Sequence, residues 1–124
     1  MRTFKTKPFA RFVRREGISD AALCDAVQRI ARGLVDANLG GGVIKQRIAR
    51  PGRGRSGGVR ALLALRRGRS VCFVHGFAKK DRENLRRPEL VAVRKLAAEM
   101  RGLNEADLDA MLANGTISEV ICYD

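Results

Sequence analysis

Two stretches of this sequence concentrate residues that handle phosphates. The first, RIARPGRGRSGGVR, sets Arg47, Arg50, Arg53, Arg55 and Arg60 among four glycines and a proline. Glycine lets backbone N–H groups come close to an anion, and arginine adds charge with forked donors, so the segment suits a polyphosphate ligand. It lacks the GxxxxGK[ST] order of a nucleotide-binding loop. The second stretch, HGFAKKDRENLRR, contributes His75, Lys79, Lys80, Arg82, Arg86 and Arg87. His75 has the pH range of a general acid or base. As the only histidine, in an apolar run, it reads first as a packed core residue and second as a catalytic one. The phenylalanines read first as core, although Phe77 beside the basic cluster is placed to touch a base. Tyr123, at the extreme end, is a weaker candidate for chemistry.

The distribution of charge strengthens the phosphate reading. The formal net charge is +12, divided as +16 over residues 1–87 and −4 over residues 88–124. Between Asp36 and Asp81 there is no carboxylate, yet eleven cations occur, among them Lys45, Arg47, Arg50, Arg60 and Arg66. A scattered excess would be a solvated face. A field of one sign opposes folding by self-repulsion and points to an anionic partner. Arginine outnumbers lysine there, which favours bidentate phosphate contact over point-charge attraction to a membrane.

Other classes fit poorly. At 124 residues and 45% hydrophobic content, the chain is expected to form one domain over 1–124 without metals or disulfides. No apolar run approaches the roughly 18 residues of a membrane span, and Met1 to Phe12 lacks the features of a signal peptide, so a cytoplasmic location is expected. Cys24, Cys72 and Cys122 are odd in number and far apart, and are read as small buried hydrophobes rather than a disulfide framework. With His75 alone to join them, no zinc site is expected, and no cofactor is implied.

The elements that must position these clusters follow from periodicity. Met1 to Lys5 reads as a strand and Pro8 to Arg15 as a helix ended by Gly17. Ser19 caps a longer helix whose stripe runs through Leu23, Ala26, Val27, Ile30, Ala31 and Leu34, before the breakers Asn38 and Gly40 to Gly42. Strands are expected at Val43 to Arg50, Val59 to Arg66 and Ser70 to Phe77, the last two as an antiparallel hairpin turning at Arg67 to Arg69. In the second, Val59, Ala61, Leu63 and Leu65 form the core face, opposite Arg60, Leu62, Ala64 and Arg66. The third is apolar on both sides, with Val71, Phe73, His75 and Phe77 opposite Cys72, Val74, Gly76 and Ala78, as in a central strand. A helix from Pro88 buries Leu90, Val93, Leu96, Ala97 and Met100. Asn104 caps a short helix ending at Asn114 and Gly115, and Thr116 to Tyr123 is a terminal strand. The class is α+β: N-terminal helices, an antiparallel sheet and a C-terminal helix packed back.

IARPGRGRSGGVRALLAL followed by VCFVHGFAKKDRENL closely resembles the RelE/HigB toxins of type II bacterial toxin-antitoxin systems. The likeness runs from GGGVIKQR to LDAMLANGTISEV. It implies a microbial ribonuclease-like fold and a ribosome-dependent endoribonuclease (mRNA interferase) that inhibits translation by metal-independent attack of the RNA 2′-OH on the scissile phosphate. It also implies a neutralising antitoxin partner of the helix-turn-helix DNA-binding kind. On this resemblance Arg60, in SGGVR, matches the sheet arginine that contacts the scissile phosphate. Lys80, in FAKKDR, matches a second basic catalytic residue, and Lys79 is carried beside it. Arg47, with Arg50 or Arg53, falls where members carry catalytic or RNA-positioning groups, and Lys45, Arg55 and Arg82 join them as RNA-binding candidates. Arg86 stands where some members have a tyrosine. Two other readings stay open: a non-catalytic basic RNA- or ribosome-binding domain, and a toxin of the same fold that poisons DNA gyrase.

Overall fold

The computed structural model describes residues 1–50, 58–66, 70–78 and 87–122. Along the chain run β1 (Arg2–Thr6), α1 (Lys7–Glu16), α2 (Asp20–Ala31), β2 (Ala37–Gly40) and β3 (Val43–Ile48). They are followed by β4 (Val59–Arg66), β5 (Ser70–Ala78), α3 (Arg87–Arg101), α4 (Glu105–Ala113) and β6 (Ile117–Val120). The strands form one sheet in the order β2-β3-β4-β5-β1-β6. An entirely antiparallel sheet is the one feature of the expected class that needs correcting, because β1 pairs parallel to β5. Phe4 and Thr3 are buried on opposite faces of β1, so this short N-terminal strand takes an interior place between β5 and β6. Among the described residues no helix is long and apolar enough to cross a membrane.

The capping signals operate as the residue types dictate. Thr6 accepts from Phe9 N at the start of α1, Ser19 from Ala22 N at the start of α2, and Asn104 forms a capping box with Asp107 at α4. Two local expectations fail. The stripe of α2 does not extend to Leu34, which is 58% exposed, and β2 is a strand that periodicity did not announce. The reason lies in Gln46 of β3, whose fully buried amide donates to the Ala26 and Leu34 carbonyls and accepts from Asp36 N. Satisfying that amide draws the chain out of the helix and along the sheet edge. The turn into β3 uses Gly40, Gly41 and Gly42, all with positive φ, and Arg94 and Arg101 of α3 donate to the Leu39 and Gly41 carbonyls across it.

Both faces of the sheet are covered. On one, α1 and α2 pack Phe9, Phe12, Leu23 and Val27 against Ile48, Val59, Ala61, Leu63 and Phe73. On the other, α3 and α4 pack Val93, Ala97, Met100 and Leu108 against Phe4, Val43, Leu62, Ala64 and Cys72. The expected one-sided burial of β4 is therefore corrected, since Leu62 and Ala64 are as buried as Ala61 and Leu63. Arg66 is drawn in with them, donating to Ser70 Oγ and to the Leu103 carbonyl at the α3–α4 junction.

Cys24 and Cys122 are bridged, with Cα atoms 5.5 Å apart, which overturns the expectation that no cysteines pair. Their separation of 98 positions hid the pairing: β6 lies beside β1, and its end reaches α2 only in the folded chain. Cys72 does behave as a buried hydrophobe, and burial pushes its thiol pKa up to about 12.

Where β1 meets the edge strand β6, Arg2 grips Glu119 with two hydrogen bonds of 2.9 and 3.0 Å and reaches Glu105 at 2.7 Å. Hydrogen bonding to Arg2 outweighs partial burial and holds the Glu119 carboxyl below its ordinary range. A lowered folded-state value contributes stability above the unfolded value, and this is lost as pH falls through the folded one. Glu119→Gln should therefore unfold at lower urea than the parent at pH 7, and the gap should close on acidification below the ordinary carboxylate range.

Candidate functional site

The site is set by the registers of β3, β4 and β5. Antiparallel partners share a face, and the pairs are Arg47↔Arg60, Arg60↔Phe77, Lys45↔Leu62 and Leu62↔His75. Two rows result, Arg47–Arg60–Phe77 and Lys45–Leu62–His75, on the α3 side of the sheet. His75 would not be there if β5 alternated regularly. Between Leu62 and Leu63 the register slips, so that Leu63 faces Phe73 while Leu62 faces His75, and Val74 is the extra residue of a bulge. The expected grouping of His75 and Phe77 with Val71 and Phe73 is corrected accordingly. Beyond the bulge, Gly76 and Ala78 take the α1–α2 face, and His75 and Phe77 turn to the side of Arg60.

Two features secure that inversion. Thr6 Oγ1 donates to the carbonyl of the bulged Val74 at 3.2 Å while capping α1, so one hydroxyl serves both elements. Gly76 then turns a bare backbone toward α1, where an added Cβ would lie 2.4 Å from the Phe12 ring. Thr6→Val keeps the shape and removes both hydrogen bonds. It should cost about 1–3 kcal/mol in urea unfolding, the range for a lost cap together with an unsatisfied carbonyl.

Like charges adjoin on this face. Arg47 and Arg60 are direct cross-strand neighbours, and like charges so placed destabilise a ladder. Arg60 Nη1 is buried yet has no hydrogen-bond partner among the described residues. The main chain of Arg47 is fixed from the opposite side by Arg29 of α2, which donates to its carbonyl at 2.6 Å. The His75 side chain is 40% exposed, with Nε2 3.7 Å from Oε2 of Glu89 in the first turn of α3, and its ring centroid is 6.2 Å from that of Phe77. Behind His75 opens an apolar groove of about 580 Å³ walled by Val74, Val93, Leu96, Met100, Met111 and Ile117.

Of the residues singled out in the sequence, Lys45, Arg47, Arg60 and His75 thus share one face with Phe77. Arg50 stands apart, its guanidinium paired at 3.0 Å with Glu16 at the end of α1. Lys79, Lys80, Arg53, Arg55, Arg82, Arg86 and Tyr123 lie outside the described residues. Glu89 and Thr6 were missed: Glu89 carries no motif, and Thr6 shows only the residue type of a helix cap. Among the described residues no group of three or more His, Cys, Asp or Glu could hold a metal ion. What the face offers is a guanidinium pair to receive a phosphate and an imidazole within the same strand triplet. Matched against known families, residues 1–120 fit the family model described as the RelE toxin of the RelE / RelB toxin-antitoxin system. No curated protein matches the chain.

Proposed function

This chain belongs to the RelE toxin family, and from that premise we propose that it is an endoribonuclease that cuts messenger RNA on the ribosome. The single observation that carries the reading is the Arg47–Arg60 cross-strand pair, in which a buried donor of Arg60 has no hydrogen-bond acceptor among the described residues. An RNA phosphate supplies that acceptor. RNA carries its own nucleophile. The protein's task is to align the 2′-oxygen, phosphorus and 5′-oxygen, to stabilise the charge of the phosphorane and to assist two proton transfers. Arg60 takes the phosphorane charge, while Arg47 and Lys45 hold the flanking backbone. Lys80, with Lys79 beside it, is assigned to proton transfer, since a lysine among cations loses its proton more readily than an arginine. Arg50, Arg53, Arg55, Arg82 and Arg86 complete the set of RNA-positioning candidates.

The partner of such a toxin is a cognate antitoxin, here read as a helix-turn-helix protein that covers or neutralises the cationic face. The test is brief expression in growing cells followed by primer extension on translated messages. Discrete cuts within codons support the nuclease. Intact messages with arrested translation would instead favour a binding domain, and intact messages with a loss of DNA supercoiling would favour a gyrase poison.

A further inference from the structure

The bulge in β5 brings the imidazole of His75 to the only position on the cationic face where a carboxylate meets it among the described contacts: Oε2 of Glu89, 3.7 Å from Nε2. We propose that Glu89 is a positioning residue that holds His75 by its Nε2 edge, so that Nδ1 delivers a proton to the departing 5′-oxygen of the RNA. This rests on the nuclease reading above and deepens it.

Three observations meet here. His75 and Arg60 are diagonal neighbours across the β4–β5 ladder, a separation of about 7–8 Å between backbones that one phosphodiester can bridge. Glu89 lies in the first turn of α3, where the helix dipole favours a charged carboxylate. The pair is half-screened from water, with side chains 40% and 26% exposed, which leaves the imidazole reachable while its partner is sheltered. Among the described residues, the other charged groups near His75 are cations: Lys45 across Leu62 from β3, Arg60 from β4, and Lys7 from the start of α1, which shares the apolar groove with it. All of them disfavour an imidazolium. Glu89 opposes them and favours it.

In the step itself, the 2′-oxygen bonds to phosphorus and its proton passes to a neutral amine or water. The bond from phosphorus to the 5′-oxygen breaks, and that oxygen takes the Nδ1 proton of the His75 imidazolium. The products are a 2′,3′-cyclic phosphate and a 5′-hydroxyl, and the neutral imidazole regains its proton from solvent.

Because the chain has a single histidine, its imidazole C2 proton can be followed by NMR without assignment. In Glu89→Gln the His75 titration midpoint should move to lower pH by on the order of half a unit, the scale of a partly exposed ion pair. Cleavage on programmed ribosomes should fall about tenfold at neutral pH, with the alkaline limb of its pH profile moving down equally. Glu89→Asp should recover part of both. An RNA with sulfur in place of the 5′-oxygen needs no protonation on leaving, and should be cut by Glu89→Gln and His75→Gln as fast as by the parent. A parent that cleaves while the Glu89→Gln midpoint stays unmoved overturns the role of Glu89, and absence of rescue by the sulfur substrate overturns that of His75. A parent that cleaves nothing overturns the nuclease reading beneath both.

Discussion

Replacing Arg60 by alanine should leave the fold intact and lower RNA cleavage on the ribosome by a factor of about 10²–10³, the usual cost of removing one donor aimed at developing charge. The fold survives because the Nη1 of this guanidinium has no hydrogen-bond partner to lose among the described residues. Thermal unfolding should therefore occur at about the same temperature as in the parent. Arg60→Lys should recover only part of the rate, since an ammonium restores charge without the forked geometry. Both variants are read by rate on programmed ribosomes beside a melting curve. An Arg60→Ala protein that melts like the parent and arrests translation equally well would remove the centre of the assigned site.

The second large effect concerns stability. Reducing the Cys24–Cys122 bridge should destabilise the protein by about 2–4 kcal/mol, because it closes a loop of 98 positions and its removal frees the unfolded chain. The urea midpoint should drop with reductant in the parent, and Cys24→Ser should match the reduced parent and ignore reductant. A midpoint unmoved by reductant would show that the bridge contributes nothing. Such bonds rarely persist in a reducing compartment, so this contribution to stability depends on the redox conditions the protein meets.

How far the sequence led depended on whether a feature was local. Caps at Ser19 and Asn104, the left-handed Gly17 and the stripe Val93, Ala97, Met100 are set by neighbours a few positions away, and they stand where periodicity placed them. The limits of β4 were equally legible, from its run of apolar residues bounded by glycines and arginines. What escaped was long-range. The parallel pairing of β1 with β5, the edge strand β2 anchored through Gln46 and the bridge across 98 positions all depend on partners remote in the chain. The bulge at Val74 matters most for the site, because one extra residue reverses every side chain beyond it. Composition identified Arg47, Arg60 and His75 as phosphate-handling types; the two arginines meet through the regular β3–β4 register, while His75 joins their face only through that slip, with Thr6 and Gly76 supporting it. Glu89 had no signal beyond its place after Pro88.

The central claim, that this toxin directs the 2′-hydroxyl of messenger RNA onto the adjacent phosphate, is tested most directly on a single defined message. Purified protein is added to ribosomes programmed with an end-labelled RNA, and with the same RNA carrying a 2′-deoxy sugar at the cut position. The account predicts cleavage of the first into fragments ending in a 2′,3′-cyclic phosphate and a 5′-hydroxyl, and no cleavage of the second. Equal cutting of both, or fragments with a 5′-phosphate, would contradict it.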